Sequence, residues 1–476
     1  MDGERVVILH SNDIHSRLEN AAKIATIIEE ERNKQGADGL LVLDIGDHMD
    51  RTRLETEGSD GKVNAELLAA AGYEAIALGN NEGLTYSRDE LVEAYRDASF
   101  AILGANMPER YTGKLPSWMK PHAVIEKRGL RIGLIAVTAA FTDFYSLLGW
   151  DLTDPIEAVR QEVQLLRDQV DVIAVLSHLG LSFDKRMAEE INGIDLIMGG
   201  HTHHLLEEPL VIGNTTICAA GKFGEYVGRI ELQMNAEGCQ VIRAEVIATA
   251  AYEEQSEALA IIRRYRESGI RRLNRVIARL EEPLPASAEQ ESPLANLLAA
   301  GLRRHTDAEI GIVNTGQLLG GLPRGDVTER QLHALCPSPI NPCRMQLTGK
   351  HIREALEQAL LPEYTAMPIK GYGFRGEVLG TLALDGMRVE YDKGRSPMAR
   401  ILSATVNGEP LDDERSYVAG CIDMFTFRTG YLSLAEGREI TYYLPEFIRD
   451  VIAAELTDAA AIRESYRDRW QSLSNF

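Results

Sequence analysis

The chain has 476 residues, a formal net charge of -22, 45% apolar residues and 26% charged residues, an ordinary globular composition long enough for two domains. So acidic a surface repels the backbone of a nucleic acid polymer, which excludes that partner, while a local metal cluster can still attract one small phosphate ester. No stretch approaches the roughly 18 uninterrupted apolar residues of a membrane span, so no membrane partner is expected, and composition sets no oligomeric state.

Residues 1–15 read directly into a strand, without the basic region, apolar core and small-residue cleavage site of a signal peptide. Further apolar runs at 40–43, 75–78, 101–103, 130–137, 172–176 and 196–198 read, like 6–9, as buried strands. Helical patterns lie between several of them, at 21–32, 64–71 and 156–169. Strands alternating with helices predict a layered α/β domain over residues 1–250, closed after Asn214 by shorter strands ending near Thr249. Residues 251–282 form a polar helical bridge, helical over 252–280. The run EEPLPASAEQESP then opens a second α/β domain over 283–476, with helices at 294–304, 350–360 and 446–456 and strands at 310–314 and 382–391. Five scattered cysteines, Cys218, Cys239, Cys336, Cys343 and Cys421, make no disulfide framework and fit a cytoplasmic protein.

Five of the apolar strands end in metal-ligand residue types. The strand over 6–9 runs into HSNDIH, with Asp13 and His15, and that over 40–43 into DIGDHMD, with Asp47. The strand over 75–78 runs into GNNE, with Asn80, and that over 172–176 into SHLG, with His178. The strand over 196–198 runs into GGHTHH, with His201 and His203. In open α/β sheets sites form beyond the carboxyl ends of the strands, so these clusters are expected to meet. A lone histidine after a strand is more often a satisfied structural residue, and Asp or Asn there is common turn chemistry. Turn chemistry does not explain five such ends together, nor why Gly46, Gly79, Gly199 and Gly200 stand beside them, where the missing side chain permits close backbone approach.

Imidazoles, carboxylates and one amide oxygen suit two divalent ions, Mn, Zn or Fe, with no thiolate demanded. Asp47 sits centrally and can bridge them. Two ions about 3.5–4 Å apart would hold a bridging hydroxide that attacks phosphorus in line, with no phospho-enzyme.

These blocks, in this order, resemble the calcineurin-type metallophosphoesterases, and specifically the 5′-nucleotidase family, with its D-x-H, GD, GNHE, lone His and GH-x-H motifs and a separate C-terminal substrate domain. The resemblance spans nearly the whole chain and is sharpest over residues 1–204. It implies a metallophosphoesterase β-sandwich flanked by helices, followed by an α/β substrate domain. It further implies that Asp13, His15, Asp47 and His203 hold one ion, and that Asn80, His178 and His201 hold the other, with Asp47 shared.

The chain departs from the family in two places. The His of GNHE, which with an Asp shortly after stabilises the transition state, is Asn81 here, and the Asp position is Leu84. His48, beside Asp47, is a candidate substitute or else a structural histidine. In the C-terminal half, NTGQLLGG resembles N-G-G-x-I-R: Asn314 and Gly316 match, but the Arg position reads Leu319. The Phe of the family's LPF falls near Ser338, and the Asp of N-D-F-L-x-x-G-G-D-G-Y is Thr429. Phe425, Phe427 and Tyr431 either offer a stacking surface or fill the core, and Arg428 is a candidate phosphate or carboxylate contact.

The reaction class expected is hydrolysis of a small phosphorylated substrate, nucleotides first. The alternatives are a cyclic-nucleotide phosphodiesterase or another phospho-metabolite hydrolase and, in a different class, a metal-retaining binding or regulatory protein. The bridge also raises hinge closure between the domains as an expectation.

Overall fold

The structure, a computed structural model, describes residues 5–235, 238–371 and 373–473. It divides into two units, Met1–Gly269 and Ile270–Phe476. The first is a pair of six-stranded sheets. One sheet contains β1 (Arg5–Ser11), β2 (Leu40–Asp44), β3 (Ala75–Ala77) and β4 (Ala101–Leu103). The other is built on β5 (His122–Lys127), β6 (Leu130–Thr138), β7 (Val172–His178) and β8 (Leu196–Gly199), with β9 (Leu210–Ile212) and β10 (Thr215–Ala219) at its edge. The chain then returns to the first sheet through β11 (Tyr226–Asn235) and β12 (Gly238–Ala248), giving the order β12-β11-β1-β2-β3-β4 there and β5-β6-β7-β8-β10-β9 in its neighbour.

The continuous apolar runs have a direct explanation in this arrangement. Strands buried on both faces carry apolar side chains at every position rather than at alternate ones. Val6 and Ile8 on β1, Leu41 and Leu43 on β2, and Leu134 and Leu176 from the second sheet share the core between the sheets. Their alternates Val7, Leu9 and Val42 face outward onto the helices Leu18–Gln35 and Lys62–Ala71. On the other side Ile135, Ile173 and Ile197 pack against Val159 and Val163 of the helix Pro155–Leu166. β1, β2 and β3 run parallel, as do β6, β7 and β8, so the carboxyl ends within each set lie on one side.

The structure differs from the sequence reading in three places. Residues 252–280 are not one helix: the helix is Ser256–Leu273, and Val276–Leu280 is a strand paired with Gly325–Thr328 in the second unit. Asn274 interrupts the helical run and the β-branched pair Val276 and Ile277 suits a strand. The closing strands are not short, since β11 has 10 residues and β12 has 11. The apolar run 382–391 is broken at Gly386, whose φ of 72° turns the chain between Leu382–Asp385 and Met387–Tyr391, strands of different sheets.

In the second unit the helix Pro293–His305 buries Leu294, Leu297, Leu298 and Leu302 over a five-stranded sheet centred on Ile310–Asn314, Ser416–Ile422 and Pro342–Thr348. A four-stranded sheet completes it. Among the described residues no helix is long and apolar enough to cross a membrane.

Candidate metal centre

The loops leaving β1 and β2 are sewn together past the ends of the strands. Asp13 N–H donates to Gly46 O at 3.0 Å, His15 N–H to Asp47 O at 2.8 Å and Ser16 N–H to His48 O at 2.9 Å. This ladder holds an unusual backbone: Asp13, His15, Ser16, Asp47, His201 and His203 all have φ between 46° and 71°. Left-handed conformations in non-glycine residues cost of order 1–3 kcal/mol each and persist where the surroundings over-determine them. Five of these six are predicted metal ligands.

Their side chains converge. His15 Nε2 and His203 Nε2 stand 3.1 Å apart, and His203 Nε2 is 3.4 Å from Asp13 Oδ1. His178 Nε2 is 3.4 Å from Asp47 Oδ1 and 4.0 Å from Asp13 Oδ1. Asp47 turns its other oxygen, Oδ2, to His15 Nε2 at 3.9 Å. The donor atoms of Asp13, His15 and His203 lie within 4.8 Å of one another, as do those of Asp13, Asp47 and His178. The two sets share Asp13, while Asp47 spans them through its separate oxygens. His201 Nδ1 lies 2.8 Å from Asn80 Oδ1, and its ring is 5.3 Å from that of His178.

This donor set fits a pair of divalent cations. His178 is fully buried; its Nδ1 is 2.9 Å from Ile45 O, while its Nε2, facing the two carboxylates, has no hydrogen-bond partner among the described residues. A ring nitrogen tied to a backbone carbonyl is the usual way of presenting the opposite nitrogen to a metal. Asp13 and Asp47 are likewise buried, yet burial is outweighed by His203, His178 and His15 for Asp13 and by His178 and His15 for Asp47, so both carboxyls stay below the ordinary range. Burial would lower His178, but Asp47 and Asp13 raise it to about 10. The centre demands positive charge, which divalent ions supply.

Glu82, left unassigned in the sequence reading, braces this centre. Its buried carboxylate accepts from Asp47 N–H at 3.0 Å, Met49 N–H at 2.8 Å and Gly79 N–H at 2.9 Å, fixing the Asp47 loop to the start of the Asn80 helix. Asn12 is a second omission: its amide donates to Asp13 Oδ2 at 2.8 Å and to Gly221 O at 2.7 Å, and its oxygen accepts from Ala220 N–H at 3.1 Å. Both residues lie inside the motifs HSNDIH and GNNE. Acceptors for backbone N–H groups leave no distinctive spacing in a sequence.

The two candidates for the missing dyad have other occupations. Asn81 N–H donates to Asp47 Oδ1 at 2.7 Å, and its amide nitrogen lies 2.9 Å from His15 Nδ1 while donating to Met49 O at 3.2 Å. It positions two ligands and has no ionisable proton to give. His48 is corrected to a structural histidine. Its Nδ1 is 3.0 Å from the amide nitrogen of Asn64 on the helix Lys62–Ala71, and burial pushes it down to about 3, so it is neutral at pH 7. Leu84 packs against the apolar core beneath.

In the C-terminal unit, Asn314 and Gly316 are buried and committed to the fold. Asn314 Nδ2 donates to Leu379 O at 2.7 Å, Gln317 Nε2 donates to Asn314 Oδ1 at 3.0 Å, and Gly316 N–H donates to Leu379 O at 3.1 Å. The expected stacking surface is corrected at two positions: Phe425 and Tyr431 are fully buried core residues. The 3-10 turn Asp423–Phe427 folds Phe425 inward; Tyr431 O–H donates to Gly380 O at 2.7 Å and its ring stacks on Tyr364. Phe427 is half-buried, and Arg428 is exposed and paired with Glu436 at 3.0 Å.

The calcineurin-like phosphoesterase family matches residues 6–205, and the 5′-nucleotidase C-terminal domain matches residues 276–427. The uncharacterized metallophosphoesterase YunD of Bacillus subtilis is 35% identical over 463 residues, covering 95% of this chain and 99% of the relative. The chain belongs to the calcineurin-like metallophosphoesterases. This metallophosphoesterase is also 25% identical to the 5′-nucleotidase of Rattus norvegicus over 84% of its own length and 77% of the relative's. Its fold matches the crystal structure of a 5′-nucleotidase precursor from Thermus thermophilus with a TM-score of 0.60, at 23% identity over 99% of this chain and 100% of the other. It is a phosphoric ester hydrolase of the 5′-nucleotidase type, dependent on divalent metal.

Proposed function

We propose that the enzyme is a two-metal hydrolase of small phosphate esters, nucleotides foremost, with Asp13, His15, Asp47 and His203 holding one ion and Asn80, His178 and His201 the other. The observation that carries this reading is the convergence of these seven side chains from the ends of β1, β2, β3, β7 and β8. When bound, the ions supply Lewis acidity toward the phosphoryl oxygens and lower the pKa of a nucleophilic water. The protein does the positioning. Asp47, gripped through its N–H by Glu82 and through Oδ1 by the Asn81 N–H, keeps its two oxygens directed to the two donor sets. His178 is oriented by the Ile45 carbonyl and His201 by the Asn80 amide. Glu82 and Asn12 hold the Asp47 and Asp13 loops in place before substrate arrives, so little reorganisation remains for the reaction itself.

Nucleotides lead as substrates because two of the three relatives named above are described as 5′-nucleotidases. A second reading, another phosphorylated metabolite or a cyclic nucleotide, is favoured by Phe425 and Tyr431, which are spent on the core instead of a base-stacking surface. The test is hydrolysis by purified enzyme of nucleoside monophosphates, cyclic nucleotides and sugar phosphates, each with Mn²⁺, Zn²⁺ or Fe²⁺, alongside Asp47→Asn and metal analysis. About two ions per chain and a loss of at least a hundredfold in Asp47→Asn are expected. Nucleotides ranking below the other esters would replace the substrate reading. Failure to turn over an aryl phosphate with any of the metals would make this a binding protein.

A further inference from the structure

Phe223, in the turn between β10 and β11, has a φ of 60°, a genuine outlier for a bulky aromatic residue. Hydrogen bonds keep it there. Its N–H donates to Asp13 O at 2.7 Å, Asn20 Nδ2 donates to its carbonyl at 2.8 Å, and Asn12 Nδ2 ties down Gly221 two residues earlier. The ring is thereby set against the metal ligands, with its centroid 5.8 Å from that of His15 and 6.4 Å from that of His203. A strained residue braced at the edge of a site calls for a functional explanation.

That ring carries two cations. The Arg17 guanidinium lies 4.8 Å from its centroid and the Lys222 ammonium 4.7 Å. Neither side chain makes an ion pair or hydrogen bond among the described residues, although the chain carries a net charge of -22. Glu19, the acid closest to Arg17 in sequence, is engaged by Arg53 at 2.6 Å. Elsewhere in this unit Arg51 reaches Glu57 and Glu90, and Arg229 reaches Glu31 and Glu231. An aromatic face attracts a cation without occupying its N–H donors, so Phe223 holds both residues in place and leaves them free to bind an anion.

We propose that Arg17 and Lys222, carried on Phe223, form a subsite for a second phosphoryl group of the substrate, making the enzyme selective for phosphoanhydride-bearing substrates of the nucleoside diphosphate class over simple monoesters. The proposal rests on the phosphoester reading of the metal centre and specifies its substrate. The contact of Phe223 with His15 and His203 places the subsite beside the Asp13–His15–His203 donor set. A phosphoryl group held at the metals would direct a neighbouring one outward over the ring. With the terminal phosphoryl at the metals, the neighbouring group keeps two non-bridging oxygens, which the planar guanidinium and the ammonium can share.

The test compares kcat/KM for a nucleoside diphosphate and for p-nitrophenyl phosphate in wild type, Arg17→Gln, Lys222→Gln, the double variant and Phe223→Leu, at saturating Mn²⁺. The diphosphate-to-monoester ratio is expected to fall about tenfold per cation removed, as befits a charge-assisted contact, and to fall also in Phe223→Leu, which keeps both charges but loses the ring. An unchanged ratio in the double variant overturns the proposal. Binding of inorganic pyrophosphate and orthophosphate by calorimetry, under the same free Mn²⁺, separates this from failure of the phosphoester reading. Wild type is expected to bind pyrophosphate at least tenfold tighter than orthophosphate, and the double variant to lose that gap. If wild type hydrolyses neither ester but keeps the gap, the hydrolase reading falls and the anion subsite stands; no gap in wild type removes the subsite.

Discussion

Gly79 is where the metal centre is least tolerant of added volume. A Cβ built there would stand 2.1 Å from Asp47 Oδ1, 2.4 Å from Asp47 N and 2.7 Å from Asp47 Cγ. The φ of Gly79 is -90°, open to any residue, so Gly79→Ala carries no backbone penalty and on chain entropy alone would stabilise the fold by about 0.4–1 kcal/mol. Relieving the contacts requires Asp47 to retreat by roughly 1 Å, and overpacking of this kind costs about 1–3 kcal/mol. Gly46 blocks the retreat: at a φ of 98° it packs onto Gly79, where its own Cβ would lie 2.5 Å from Gly79 N. A displacement of roughly 1 Å in a positioned group costs on the order of a hundredfold in rate, about 2.7 kcal/mol. The expected outcome for Gly79→Ala is therefore a fall of that size in kcat, weaker metal binding by calorimetry and a lower Tm. Gly320→Ala, whose Cβ would have nothing within 4 Å, is the control. A Gly79→Ala enzyme with kcat within threefold of wild type and unchanged metal affinity would refute the steric reasoning.

Stripping metal should leave the clustered carboxylates and imidazoles uncompensated, so chelation is expected to lower Tm and Mn²⁺ at a hundred times its Kd to restore about 2.7 kcal/mol, read by differential scanning calorimetry. His10 on β1 is buried with neither ring nitrogen partnered among the described residues, and burial pushes it down to about 4 from 6.5. Its folded form resists protonation, so its stability contribution is whole above pH 6.5 and fades toward pH 4, worth roughly 3 kcal/mol; His10→Leu is expected to flatten this part of an acid denaturation series. Asp423 shifts the other way, raised by burial to about 7 from 3.8. Its contribution is present below pH 3.8 and lost as pH climbs through 7, so Asp423→Asn is expected to be more stable than wild type at pH 8 by up to roughly 4 kcal/mol in urea titrations, the gap closing below pH 4.

The parts legible in the sequence were those where a residue type is scarce and its position meaningful. Histidines at three strand ends, an aspartate at a fourth and an asparagine at the fifth announced the candidate ligands, because parallel strands deliver their carboxyl ends to one side and the apolar runs marked where those ends fall. What holds the ligands was not legible. Glu82 and Asn12 act by accepting or donating to backbone groups brought near by the fold, and a carboxylate bound to three N–H groups looks in sequence like any other glutamate. His48 misled for the same reason: adjacency to Asp47 is not orientation, and the left-handed turn at Asp47 sends the next residue to Asn64. Phe425 and Tyr431 illustrate the converse, since the C-terminal unit needs large side chains for its core and takes them from the segment that the family likeness reserves for substrate. Phe223 lay outside every motif considered, in a stretch reading GKFGEY. Only its positive φ, and the two cations gathered on its ring beside His15, distinguish it from an ordinary loop aromatic. A sequence records the donors that chemistry demands, whereas specificity built from backbone strain and unpaired charge becomes visible only once the chain is folded.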